Sequence, residues 1–134
     1  MKILSKIILL GLVLLTTETL SAKEARLLTL TDSNYMHKLL QNDKPVVVKF
    51  WASWCKPCRK MSPEFKKASK TFRGKVTFAE VNVDIQKQLS LKYSIHALPT
   101  MILFNKGRFI KKSKGFMKQK QIEKFVQSSR LVGK

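Results

Sequence analysis

The stretch Trp54-Cys55-Lys56-Pro57-Cys58 constrains this chain more than any other part of it. It holds the only two cysteines among 134 residues, separated by two positions. Just upstream, Val46-Val47-Val48-Lys49-Phe50-Trp51 reads as a central strand, because a nearly unbroken apolar run suits a strand covered on both faces. Just downstream, Met61, Phe65, Ala68 and Phe72 recur at spacings of three and four. That predicts a helix over 58–72, kinked at Pro63 and ended by Arg73-Gly74. A Cys-x-x-Cys pair at a strand-to-helix junction is what dithiol redox chemistry needs. The free N–H groups and dipole of a helix N-terminus favour a thiolate on the first sulfur, and the second lies one turn further on. Cys55 is therefore read as the nucleophile and Cys58 as the resolving thiol.

The rest of the chain alternates in type. Ala25 to Leu30 is a short apolar run, read as a strand. Thr31-Asp32-Ser33 offers N-caps for a helix carrying Tyr35, Met36, Leu39 and Leu40. Val76 to Val83 alternates as a strand does, with Val76, Phe78, Glu80 and Asn82 on one face. Gln86 to Tyr93 reads as a short helix. Thr100 to Phe104 and Arg108 to Lys112 flank Asn105-Lys106-Gly107, a hairpin signal. A last helix over Lys118 to Ser129 turns Ile122, Phe125 and Val126 inward. The order β-α-β-α-β-α-β-β-α implies an α/β fold with a parallel centre and an antiparallel terminal hairpin.

Residues 1–22 read as a signal peptide: Lys2 and Lys6, an apolar core from Ile7 to Leu15, and a small-residue stretch ending at Ala22. That core is too short to span a bilayer as a helix, which takes about 20 residues. Residues 23–134 then form one domain, exported to the periplasm or beyond, or tethered to the membrane if the leader is kept. Lys and Arg number 27 against 8 Asp and Glu, a net charge of +19. The run from Lys106 to Lys124 is the densest basic stretch and offers weak binding to anionic surfaces.

These residues together resemble the thioredoxin family over about positions 25 to 130. The landmarks are Phe50-Trp51-Ala52, the Cys55 to Cys58 motif, Pro63, Val81-Asn82-Val83-Asp84, Tyr93-Ser94-Ile95, Leu98-Pro99-Thr100, the Asn105-Lys106-Gly107 turn and Gly115. The resemblance implies a central mixed five-stranded sheet flanked by helices on both faces. It implies that Cys55 attacks a substrate disulfide and that Cys58 releases the product. It also implies that Pro99 follows a cis bond after Leu98, facing the cysteines, beside backbone that pairs with an extended substrate segment. Trp51 is expected as core support and Trp54 as an exposed rim that packs on partners.

Two departures from the family's pattern stand out. Between the cysteines the family usually has Gly-Pro, and here Lys56-Pro57 stands there. A cation beside Cys55 favours its thiolate, which stabilises the reduced form and raises the potential. The family's buried Asp before the site is Lys49 here, and its Lys neighbour is Glu80. The exchanged charges suggest a buried pair with Glu80 as the proton relay.

No cofactor is expected. A structural zinc site wants four ligands, and only His37 and His96 could join the two cysteines. The expected partners are proteins with disulfides or dithiols and an upstream redox partner, acting on a monomer. Within this chemistry a reductant is favoured by Pro57 and a domain without insertions, while export and Lys56 pull toward an oxidase or isomerase. A non-catalytic basic binding module with a structural disulfide is the rival of another class.

Overall fold

A computed structural model describes residues 26–132 of the chain. The leader read over 1–22 lies outside the described residues, as does Ala25. The elements are β1 (Leu28–Thr29), α1 (Tyr35–Leu40), β2 (Val46–Trp51), α2 (Lys56–Thr71), β3 (Thr77–Asn82), α3 (Lys87–Lys92), β4 (Thr100–Asn105), β5 (Arg108–Lys114) and α4 (Gln119–Gln127). They form one five-stranded sheet in the order β1-β3-β2-β4-β5. The β1-β3 and β3-β2 pairs are parallel, and the β2-β4 and β4-β5 pairs antiparallel.

The central position of β2 follows from its composition. Its first five residues are buried, as an unbroken apolar strand requires, and the sheet is covered on both sides. Val47 packs with Met61, Phe65 and Ile122, under α2 and α4. Val46, Val48 and Phe50 pack with Leu39 and Leu89, under α1 and α3. Period-two alternation thus sends Lys49 to the same side as Val47, beneath α2.

Several boundaries differ from expectation for local reasons. β1 is only two residues long, because Leu30 already leaves the ladder with a single bond to the Glu80 carbonyl. α2 starts at Lys56 rather than Cys58, since Cys55 is its N-cap, and it runs unbroken through Pro63. The hairpin turn is two residues, Lys106 and Gly107, both with positive φ, and β5 extends to Lys114. α1 is capped by Asn34, without a side-chain bond. Asp32 instead caps α3, its carboxylate accepting from the Leu89 N–H at 2.8 Å.

A polar clamp ties α2 to α4. The Gln119 N–H donates to Glu64 Oε2 at 2.9 Å, and the Thr71 hydroxyl donates to Glu123 Oε1 at 2.9 Å. Glu123 is buried beside Ile122 and Val126, whereas Phe125 is only half-buried. The Gln119 N–H, aided by Lys67, holds the Glu64 carboxyl below its ordinary value. Burial pushes Glu123 up, but hydrogen bonds from Gln119 and Thr71, together with Lys120, outweigh it and hold that carboxyl low.

Candidate active site

β2 ends at Trp51, and the chain turns through Ala52 and Ser53 into α2. Cys55 takes an extended backbone conformation at the N-cap, and its Sγ accepts the Cys58 N–H at 3.2 Å. A sulfur here does what a Ser or Asp oxygen usually does at a helix start. The first turn of α2 carries no acidic residue; Lys56 and Pro57 fill it instead. Free N–H groups at a helix start favour negative charge on a sulfur placed there.

Cys55 and Cys58 are joined as a disulfide, with Cα atoms 5.3 Å apart. Cys58 is 1% exposed and Cys55 5%. Both pack with Ala52, and Trp51, Val83 and Leu98 close round them. Cys55 lines a cleft of about 490 Å³. Trp54, Lys56 and Pro57 form one wall of it, and Ile95, His96, Ala97 and Leu98 form the facing wall. The Leu98–Pro99 bond is cis, and Leu98 is the residue of that loop packed on the cysteines. The loop is fastened from below. Pro99 O accepts the Gly115 N–H at 2.8 Å, and Thr100 Oγ1 donates to Ala97 O at 2.6 Å. Gly115 sits at φ +92°, a conformation that a side chain would strain, which is why the chain has glycine where it meets this loop.

The two tryptophans divide as expected. Trp51 is half-buried behind the cysteines, while Trp54 is 68% exposed on the rim. The Trp54 indole N–H donates to Asp84 Oδ1 at 3.1 Å, which fixes the ring's direction. His96 stands exposed on the wall of the cleft. Among the described residues no three His, Cys, Asp or Glu side chains gather as a metal site would need.

Lys49 and Glu80 are register partners on β2 and β3. Lys49 Nζ lies 2.6 Å from Glu80 Oε1, with the lysine side chain 1% exposed and the glutamate 26%. The pair expected from the sequence is therefore formed, but only the cation is fully buried. Two partners were not foreseen. Nζ donates to Ser62 Oγ at 3.0 Å and sits 5.0 Å from the centroid of the Phe65 ring. Ser62 Oγ in turn donates to the Cys58 carbonyl at 3.1 Å. The only sequence hint was a serine four residues after Cys58, where its hydroxyl can bond back along the helix.

Two lysines of the basic run are engaged within the fold. Lys112 Nζ donates to the Tyr93 carbonyl at 2.6 Å, and Lys111 Nζ lies 4.4 Å from the centroid of the Phe125 ring.

A fold, a disulfide at a helix start and an apolar cleft closed by a cis-proline loop point the same way as comparison with known proteins. The thioredoxin family model matches residues 26–128. A thioredoxin of Alicyclobacillus acidocaldarius subsp. acidocaldarius is 42% identical over 96 residues, covering 72% of this chain and 90% of that protein. A thioredoxin of Chlorobaculum thiosulfatiphilum is 34% identical over 96 residues, covering 72% and 89%. Thioredoxin M4, chloroplastic, of Arabidopsis thaliana is 36% identical over 98 residues, covering 73% of this chain and 51% of its own length. With its dithiol placed where that chemistry requires it, the chain belongs to the thioredoxin family and is a thiol–disulfide oxidoreductase.

Proposed function

We propose that this protein is an exported reductant of protein disulfides, working through the Cys55–Cys58 dithiol. The reading rests above all on a disulfide at a helix N-terminus whose Cys55 sulfur caps that helix and whose Cys55 lines a mostly apolar cleft. In the reduced protein the Cys55 thiolate attacks one sulfur of a substrate disulfide. A bond forms between Cys55 and that sulfur, and the other substrate sulfur leaves as a thiolate that takes a proton from water. Cys58 then loses its proton and attacks Cys55 Sγ. The Cys55–Cys58 bond forms, the second substrate sulfur leaves, and two electrons have passed from the dithiol to the substrate.

The other residues support these steps. The backbone beside Pro99 pairs with the substrate as an added strand. Leu98 and Pro57 supply apolar contact, and Trp54 packs against the partner outside the cleft. Lys49 and Glu80 handle the proton of Cys58, with Glu80 as the end that solvent reaches. An upstream dithiol donor restores the reduced form. Export rests on the leader read over 1–22, and Pro57 in an uninterrupted domain favours reduction over oxidation. The lysines from Lys106 to Lys124 that remain free add a weak attraction for acidic partners.

An insulin-reduction assay on the wild type and Cys55→Ser tests the reading. Precipitation of insulin by the wild type, abolished by the substitution, is expected. Equal turnover by both would end it.

A further inference from the structure

Lys49 is a costly residue to place in the middle of a central strand. An ammonium taken from water loses several kcal/mol, and well-packed apolar side chains in place of a buried ion pair are often neutral or stabilising. β4 offers it only Met101 as register partner, and packing alone therefore gives no reason for a cation. Its surroundings suggest another. Three groups enclose Nζ: the Glu80 carboxylate on one side, the Phe65 ring on a second, and the Ser62 hydroxyl on the third. Ser62 is the only one of the three that leads to a cysteine, because its own O–H is donated to the carbonyl of Cys58.

From this we infer that Ser62 is a positioning residue, holding the buried Lys49 cation against the helical turn of Cys58 so that the resolving thiol can ionise. The inference rests on the dithiol mechanism above and deepens it. Cys58 is 1% exposed, and a buried sulfur resists becoming a thiolate. Yet the second step needs that thiolate: Cys58 S⁻ must attack Cys55 Sγ while the Cys55–substrate bond breaks. A fixed cation two hydrogen bonds from the Cys58 carbonyl offsets the burial. Glu80 balances Lys49 from the far side, but its partial exposure lets water screen the carboxylate more than the ammonium. The net field on the Cys58 side is positive.

The neighbouring charges leave this role to Lys49. On α2, Lys56 and Arg59 are exposed, and Arg59 is spent on the Ser53 carbonyl. After β3, Asp84 is exposed and bound to Trp54, and before β4 His96 is exposed on the cleft wall. Among the described residues, Glu80 is the one carboxylate in an ion pair with Lys49.

The test uses a Cys55→Ser background, in which Cys58 is the sole thiol, and follows thiolate absorbance against pH with circular dichroism as a check on folding. Ser62→Ala should raise the Cys58 midpoint by about one pH unit, and Lys49→Met by about one to two. Glu80→Gln should lower it, because the cation loses its counter-charge. Ser62→Thr, which keeps the hydroxyl, should titrate like the parent. In the protein with both cysteines, Ser62→Ala should slow release of a mixed disulfide about tenfold at neutral pH, with the deficit closing above the shifted midpoint. An unmoved midpoint in folded Ser62→Ala, or Glu80→Gln shifting it in the same direction as Lys49→Met, would falsify the inference. So would a Ser62→Ala deficit that is equal at every pH. None of these results bears on whether Cys55→Ser abolishes insulin reduction, so the two readings fail separately.

Discussion

Lys56 is an unusual first residue for a helix, because cations there oppose the macrodipole. What is unfavourable for α2 is favourable for a thiolate on Cys55, whose sulfur caps the same turn. The lysine is exposed, so its effect is screened and modest. Lys56→Gly should lower the redox potential against glutathione by about 10–30 mV, the upper figure corresponding to a tenfold change in equilibrium constant. A potential that stays the same or rises would remove Lys56 from the electrostatics of the site. The position of this lysine was legible in the sequence because it depends only on residues within one turn. Ser62 was not, because its meaning depends on a cation from another strand.

The element that organises the molecule is α2. It starts on the Cys55 sulfur and buries Met61, Phe65 and Ala68 against the sheet, and the Glu64 and Glu123 contacts lock it to α4. Both carboxyls are held below their ordinary value of 4.5 in the folded protein. A carboxylate whose folded value is depressed adds stability that is present above its unfolded value and lost as pH falls through the folded one. Stability to urea should therefore decline as pH drops below about 4.5, and Glu64→Gln should flatten that decline. At pH 7, Glu123→Ala should cost about 1–3 kcal/mol, because Thr71 and the Gln119 amide lose a buried acceptor. A slope identical to the wild type in Glu64→Gln would show that the clamp does not set acid stability. The strand and helix of the site were readable from apolar spacing alone. The caps were not, since Asp32 serves Leu89 across 57 residues of sequence and Glu64 serves Gln119 across 55. A polar side chain declares its helix only once the fold has brought the two together. β1 shrank for the same reason, since its partner β3 fixes where pairing stops.

On the scale of the whole molecule, a sheet covered on both faces carries the disulfide at one end, with Lys49 and Glu123 the charged side chains it buries among the described residues. Of the lysines between Lys106 and Lys124, Lys111 and Lys112 turn back onto Phe125 and Tyr93. Sequence spacing could show how many lysines the final hairpin carries but not which of them the fold would use internally. The cleft was legible only by way of Pro99. Its facing walls come from α2 and from the loop before β4, more than 30 residues apart, and no local pattern encodes their meeting. The most direct measurement is the rate of iodoacetamide alkylation of the fully reduced protein as a function of pH, with the labelled residue identified by mass. One equivalent should go to Cys55, with a rate midpoint at least one unit below the value of about 8.5 for free cysteine. A rate that follows free cysteine, or label arriving first on Cys58, would contradict a thiolate held at the tip of α2.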